Sequence, residues 1–375
     1  MSKVLFVLGT RPEAIKLAPL IIEFQQNPNI EVKVCSTGQH REMLDQVLNF
    51  FEIQPDYDLN IMKKQQSLGS ITCSILTHLN KILESFKPDH VFVHGDTTTT
   101  FATSLTAFYK NILIWHIEAG LRTWNMKSPF PEEANRQLTG KLAFFHAAPT
   151  LKAKDNLIRD NVNEENIIVT GNTVIDALLI GIQKITTSTN ITPEIASIKK
   201  QVNTEKKIIL VTLHRRENQG ELLEIICDDI KNLALEHNDI EIVFPVHMNP
   251  LIRNVVNEKL LGVTNIKIIE PLVYPSFIWL MNNAYFILSD SGGVQEEAPS
   301  LKKPVLVVRD TTERPEVIEN GAAILVDPRM PNNVYLNCKK LLSDENLYER
   351  MSQAGNPFGN GTASKKILNY FLSQL

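Results

Sequence analysis

With 375 residues, 43% of them hydrophobic and 21% charged, the chain exceeds what a single hydrophobic core usually organises, and two domains are expected. The formal net charge of −4 is small and spread out, with no Lys/Arg block to attract nucleic acid or an anionic membrane, so the expected partners are small molecules or another copy of the chain. Cys35, Cys73, Cys227 and Cys338 are widely separated, which argues against a zinc site or a disulfide framework; no stretch approaches the ~20 apolar residues of a membrane span and no targeting segment is visible, so a soluble, cytoplasmic protein is expected.

From the N-terminus, short β-branched runs alternate with amphipathic stretches of helical period, the βαβ pattern of a parallel sheet covered on both faces. Strands are predicted at 4–8, 31–36, 90–94, 112–117, 143–147 and 166–169, with helices near 13–26, 40–49, 67–86, 98–109, 131–142 and 150–160. The polar, Thr-rich segment 185–206 interrupts this pattern. Strands then recur at 207–213, 240–245, 266–269, 285–289, 304–308 and 322–326, with helices between them, and a last helical stretch at 362–374 follows the Gly/Asn/Pro-rich segment 355–361. The predicted fold class is α/β, with two Rossmann-like doubly wound domains and a ligand crevice between them. The halves share an architecture without a sequence repeat.

In an open α/β sheet the carboxyl ends of the strands face the ligand, so charged residues just past a strand are the first candidates for chemistry. Gly9-Thr10-Arg11-Pro12 ends the first strand, with Pro12 suited to the first helical position; Arg11 and Lys16, beside a helix N-terminus, make an anion site. Asp96 follows His94-Gly95, where it can either cap the next helix or act on a substrate; His94 itself reads as hydrogen-bonded structure. Glu118 stands between an apolar strand and a Gly-containing loop, where a cap gains nothing. Glu132 opens a helix, and its spacing to Arg136 makes the two i,i+4 partners.

In the second half, His214 and the adjoining Arg215 and Arg216 follow the first strand, the position that mirrors Arg11, and suit a diphosphate or its leaving oxygen. His247 is a similar, weaker case. Ser289-Asp290-Ser291-Gly292-Gly293 leads from a strand into a helix, where glycines let a phosphate approach backbone N–H groups; Ser/Asp capping is the plainer alternative. Glu297 lies one turn on, within reach of ribose hydroxyls. Phe277 is placed to stack on a base, or to fill the core.

Together the strings GTRPEAIK, QHREMLDQV, HGDTTTT, HIEAGLRT, SPFPEEANRQLTG, TGNTVIDAL, HRREN, DSGGVQEEAPSL and RDTTERPE resemble the non-hydrolysing UDP-N-acetylglucosamine 2-epimerases, over about residues 4–372. The resemblance implies a GT-B-type fold. It places an N-terminal Rossmann-like domain at 1–172, a UDP-binding domain at 173–356, and a C-terminal helix, 357–375, crossing back to the first. It also implies interconversion of UDP-GlcNAc and UDP-ManNAc without a cofactor or metal, a homodimer, and a supply of ManNAc for bacterial surface polysaccharides.

By matching motifs, Asp96, Glu118 and Glu132 transfer protons or stabilise an oxocarbenium ion, while Arg11, Lys16, Arg136 and His214 hold the diphosphate and sugar. Ser291, Gly292, Gly293 and Arg314 contact UDP, Glu297 the ribose and Phe277 the uracil. Gln39, His40 and His247 are candidates for a second, regulatory UDP-GlcNAc site, although Glu42 and Gln65 depart from the pattern of members that have one.

The chemistry agrees with this inventory. The C2 proton of UDP-GlcNAc is not beside a carbonyl, so it leaves only as UDP is eliminated across C1–C2 and oxocarbenium character develops. That step requires acid and base carboxylates and cations for the departing diphosphate, and no hydride carrier. A hydrolysing epimerase releasing free ManNAc and UDP, a retaining glycosyltransferase, and a nucleotide-sugar sensor are the competing expectations.

Overall fold

The computed structural model describes residues 1–38, 41–62, 66–187, 192–246 and 248–375. Gln39, His40, Gln65 and His247, singled out above, lie outside the described residues. The chain forms two compact units, Met1–Ile180 with Phe358–Leu375, and Gly181–Pro357.

The first unit is built on a parallel sheet of β1 (Ser2–Leu8), β2 (Ile30–Ser36), β3 (Tyr57–Asp58), β4 (His90–His94), β5 (Leu113–Ile117), β6 (Phe145–Ala148) and β7 (Ile167–Val169), in the order β3-β2-β1-β4-β5-β6-β7. The run Val4–Leu8 is apolar at every position because helices cover both faces of a parallel sheet, and each of its side chains is buried. Phe6 and Phe92 of neighbouring strands meet at 4.8 Å, and Phe24, on helix Arg11–Gln25, packs edge-on against Phe6 at 5.5 Å. The C-terminal helix Ala363–Ser373 closes the same face, with Phe371 at 5.1 Å from Phe24. Buried Asp176 accepts from the first backbone N–H groups of that helix, Ala363 (3.2 Å) and Ser364 (2.8 Å).

The second unit repeats the plan with β8 (Lys207–Thr212), β9 (Ile240–Pro245), β10 (Ile266–Ile269), β11 (Phe286–Ser289), β12 (Val305–Val307) and β13 (Ala323–Leu325), all parallel in the order β10-β9-β8-β11-β12-β13. Both units are doubly wound, as the α/β pattern implied. In each sheet the strand order reverses beside the first strand, between β1 and β4 and between β8 and β11. At those two places loops leave the strands in opposite directions and open a site.

The elements differ from expectation in places, and helix Thr173–Thr187 is one that was not predicted. The two-residue edge strand β3 is too short to show any alternation in the sequence. Segment 185–206 contains helix Pro193–Gln201, started by a Thr192 cap and Pro193; its Ile195 and Ile198 are buried, and it packs on helix Tyr274–Asn283. Two buried apolar residues in nine are enough because the neighbouring helix supplies the rest of the apolar surface. Among the described residues no helix is long and apolar enough to cross a membrane.

Candidate active site

The turn after β1 is held by Glu13. This carboxylate is 1% exposed and accepts from the backbone N–H of Gly9 (2.9 Å) and Thr10 (2.7 Å) through Oε2, and from the hydroxyls of Thr97 (2.6 Å) and Thr100 (3.2 Å) through Oε1. The turns following β1 and β4 are thereby tied together across the strand reversal. Gly9 is required by space: a Cβ there would lie 2.2 Å from Thr37 Oγ1 and 2.5 Å from Thr99 Oγ1. Thr10 caps the helix, so Arg11 takes the first helical position and Pro12, expected there, the second. Arg11 is half-buried at this helix opening.

Asp96 is not a helix cap. Thr97 holds that place, its Oγ1 accepting from Thr100 N at 3.1 Å, and Asp96 is left to pair with Arg136, Oδ2 to Nη2 at 2.6 Å. Asn135 fixes the Asp96 carbonyl at 2.9 Å. The expected i,i+4 pair between Glu132 and Arg136 does not form: the guanidinium faces Asp96 and reaches Glu133 Oε2 at 3.5 Å. Glu133 is spent on the loop, accepting from Thr123 N (3.0 Å) and Trp124 N (3.1 Å). Glu132 is half-buried at the first position of helix Glu132–Leu142, and among the described residues its carboxylate has no hydrogen-bond or ion-pair partner.

Glu118 follows β5 with φ of +59°, a left-handed conformation uncommon for a residue with a side chain. Its Oε2 is paired with Lys16 Nζ, accepts from Asn172 Nδ2 at 2.9 Å, and lies 3.5 Å from His94 Nε2. Burial opposes ionisation, but the Lys16 ammonium and the His94 ring beside it outweigh that and hold the Glu118 carboxyl well below its ordinary value. The pairing with Lys16 therefore favours the ionised form of Glu118. His94, expected as hydrogen-bonded structure, is buried with no hydrogen bond to Nε2 among the described residues.

In the second unit, His214 Nδ1 lies 2.9 Å from Asp290 Oδ1, across β8 and β11, with the Thr212 and Ser289 hydroxyls bonded at 2.6 Å behind them. Ser291 is the N-cap residue of helix Gly292–Glu297 but makes no side-chain cap bond. Arg314 reaches Glu296 through Nε (2.8 Å) and Nη2 (2.8 Å), and Glu313 through Nη1 (2.9 Å). Its guanidinium lies over Gly292, where a Cβ would be 3.0 Å from Cζ. The next glycine, Gly293, is less crowded, with Glu297 Oε2 3.8 Å from its Cβ position, and Glu297 is buried. Phe277 is half-buried, unlike its buried helix neighbours Ser276 and Ile278, so it is not a full core residue.

These positions can be compared with known proteins. A family model described as UDP-N-acetylglucosamine 2-epimerase matches residues 22–372. The chain belongs to the UDP-N-acetylglucosamine 2-epimerase family. Among its relatives, a UDP-N-acetylglucosamine 2-epimerase of Salmonella borreze is 81% identical over 373 residues, covering 100% of this chain and 99% of the relative. The protein of that name from Escherichia coli K12 is 54% identical, covering 98% and 97%. A UDP-GlcNAc 2-epimerase from Neisseria meningitidis, solved bound to UDP-GlcNAc, superposes with a TM-score of 0.88 at 50% identity, covering 99% of this chain and 100% of that one.

Within this family framework, Glu13, Asn172 and Asp290 join the expected residues. Asn172, 2% exposed, stands just past β7, and its position at a strand end was the available signal. Glu13 is indistinguishable in sequence from any acid in a first helical turn. Asp290 reads as a helix cap until its carboxylate is seen turned back toward His214.

Proposed function

We propose that this family member interconverts UDP-GlcNAc and UDP-ManNAc without hydrolysis, by eliminating UDP to 2-acetamidoglucal and adding it back after protonation of C2 from the other face. The observation that carries the reading is the different environment of three carboxylates of the first unit, Asp96 and Glu118 just past strands β4 and β5 and Glu132 at the opening of a helix. Glu118, held ionised by Lys16, suits the positive charge that develops at C1 as the diphosphate departs. Glu132 has no cation partner among the described residues, and we assign it the C2 proton. Asp96, paired with Arg136, is the third participant at the reacting sugar.

The nucleotide half of the reading rests on His214, Ser291, Gly292, Gly293, Glu297, Arg314 and Phe277 in the second unit, with Arg11 as a further diphosphate ligand. UDP-ManNAc formed in this way would supply ManNAc for surface polysaccharide synthesis.

Proton NMR of the purified protein with UDP-GlcNAc in D2O tests the proposal. The expected result is UDP-ManNAc with deuterium at C2 of both sugars. Free ManNAc with UDP would place the chain with hydrolysing epimerases. Binding of UDP-GlcNAc with no turnover would remove the catalytic assignment.

A further inference from the structure

Asp290 is 0% exposed and surrounded by donors. Its Oδ2 accepts from Arg215 N (2.9 Å), His214 N (3.1 Å) and Asn218 Nδ2 (3.1 Å), which already fix the turn after β8. Its Oδ1 faces the His214 ring, 2.9 Å from Nδ1 and 3.2 Å from the backbone N. The imidazole is 47% exposed, so this contact does not bury a histidine in the core; it holds one at the surface of the site.

We propose that Asp290 is a positioning residue for His214: it fixes the hydrogen of the neutral ring on Nδ1 and presents Nε2 to the diphosphate. The inference rests on reading His214 as a diphosphate ligand. An ionised carboxylate only accepts, so Nδ1 must donate. With Nδ1–H committed, a further proton goes to Nε2, where the ring offers both a donor and a positive charge to the departing diphosphate oxygen, compensated by Asp290 behind it. Burial raises the Asp290 carboxyl, but the His214 ring and the Arg215 and Asn218 donors hold it below its usual range, consistent with a standing negative charge.

The test is Asp290→Asn. Three donors converge on the Oδ2 position, so the amide oxygen must lie there and the NH2 group must face His214 Nδ1. The ring is then forced to accept at Nδ1 and carry its hydrogen on Nε2, and protonation is opposed. Nitrogen-15 NMR of imidazole-labelled protein, with the His214 signals assigned by His214→Gln, reads this directly. Expected are an Nδ1–H tautomer in the wild type, an Nε2–H tautomer in the variant, and a kcat lowered about tenfold to a hundredfold with KM changed less than about threefold.

An Nε2–H tautomer in the wild type, or a variant whose tautomer flips with unchanged kcat, would overturn the proposal. If Asp290→Asn does not fold, the wild-type tautomer and the response of its Nε2 signal to UDP still decide. If the wild type does not turn over UDP-GlcNAc, the functional reading fails, while the tautomer and the UDP response test the pairing separately.

Discussion

Asn172 donates its side-chain N–H to Glu118 Oε2 at 2.9 Å while its own backbone N–H is held by the Phe358 carbonyl at 2.7 Å. The returning C-terminal segment is thus two hydrogen bonds from a carboxylate of the candidate site. Gly171 makes the approach possible: a Cβ there would be 2.8 Å from the same carbonyl oxygen. A hydrogen bond to a charged group contributes about 1.5–3 kcal/mol, so Asn172→Ala is expected to lower kcat about tenfold to a hundredfold. Steady-state kinetics with a thermal melt of the variant checks this. A rate within about twofold of wild type would show that Glu118 keeps its geometry without Asn172.

Glu132→Gln removes the carboxylate that has no cation partner among the described residues. Deuterium incorporation at C2 from D2O is expected to fall at least about a hundredfold while UDP binding changes little. Exchange at the wild-type rate would transfer the base assignment to Asp96 or Glu118.

Gly292→Ala places a methyl group 3.0 Å from Arg314 Cζ and 3.1 Å from Nη1, pushing the guanidinium off Glu296. Since both residues are assigned to UDP, calorimetric titration is expected to show about tenfold weaker UDP binding with the melting temperature nearly unchanged. Unaltered affinity would remove this contact from the nucleotide site.

The buried pair His116 and His146 predicts an acid-sensitive first unit. His116 Nε2 is 2.7 Å from the Gly95 carbonyl, in the turn that carries Asp96. Burial, with the neighbouring His146 and the Arg122 guanidinium, pushes His116 down to about 3; burial, again with Arg122, pushes His146 down to about 4. Both fold as neutral rings, whereas the unfolded chain takes up protons near 6.5, so stability is complete above that value and is lost as pH falls from 6.5 toward 4. For His146 alone the loss is about 3 kcal/mol at the acid limit. Melting temperatures of wild type and His146→Gln between about pH 7.5 and about pH 4.5 should converge as pH falls. Parallel curves would show that His146 does not titrate on unfolding.

The strand positions and the placing of acids at strand ends were legible in the sequence, because apolar runs such as Val4–Leu8 and Val91–Val93 are what a sheet buried on both faces requires. So was the family, carried by the long strings around Asp96, Glu118 and Glu132. The pairing of those residues was not. Helical spacing offers Arg136 to Glu132 and Glu133 alike, and the choice was made by Asp96, arriving from β4 at 2.6 Å. Asp96 was free to do so only because Thr97 took the cap.

Lys16 meets Glu118 across 102 residues, and His214 meets Asp290 across 76. Local periodicity records which face of an element is buried and where a strand stops. It does not record which strand ends become neighbours. That is decided by the sheet orders β3-β2-β1-β4 and β10-β9-β8-β11, which are set by packing over the whole of each unit. The sequence by itself therefore determined the elements, the charged residues at their ends and the family; the tertiary structure alone decided which charge each of them faces.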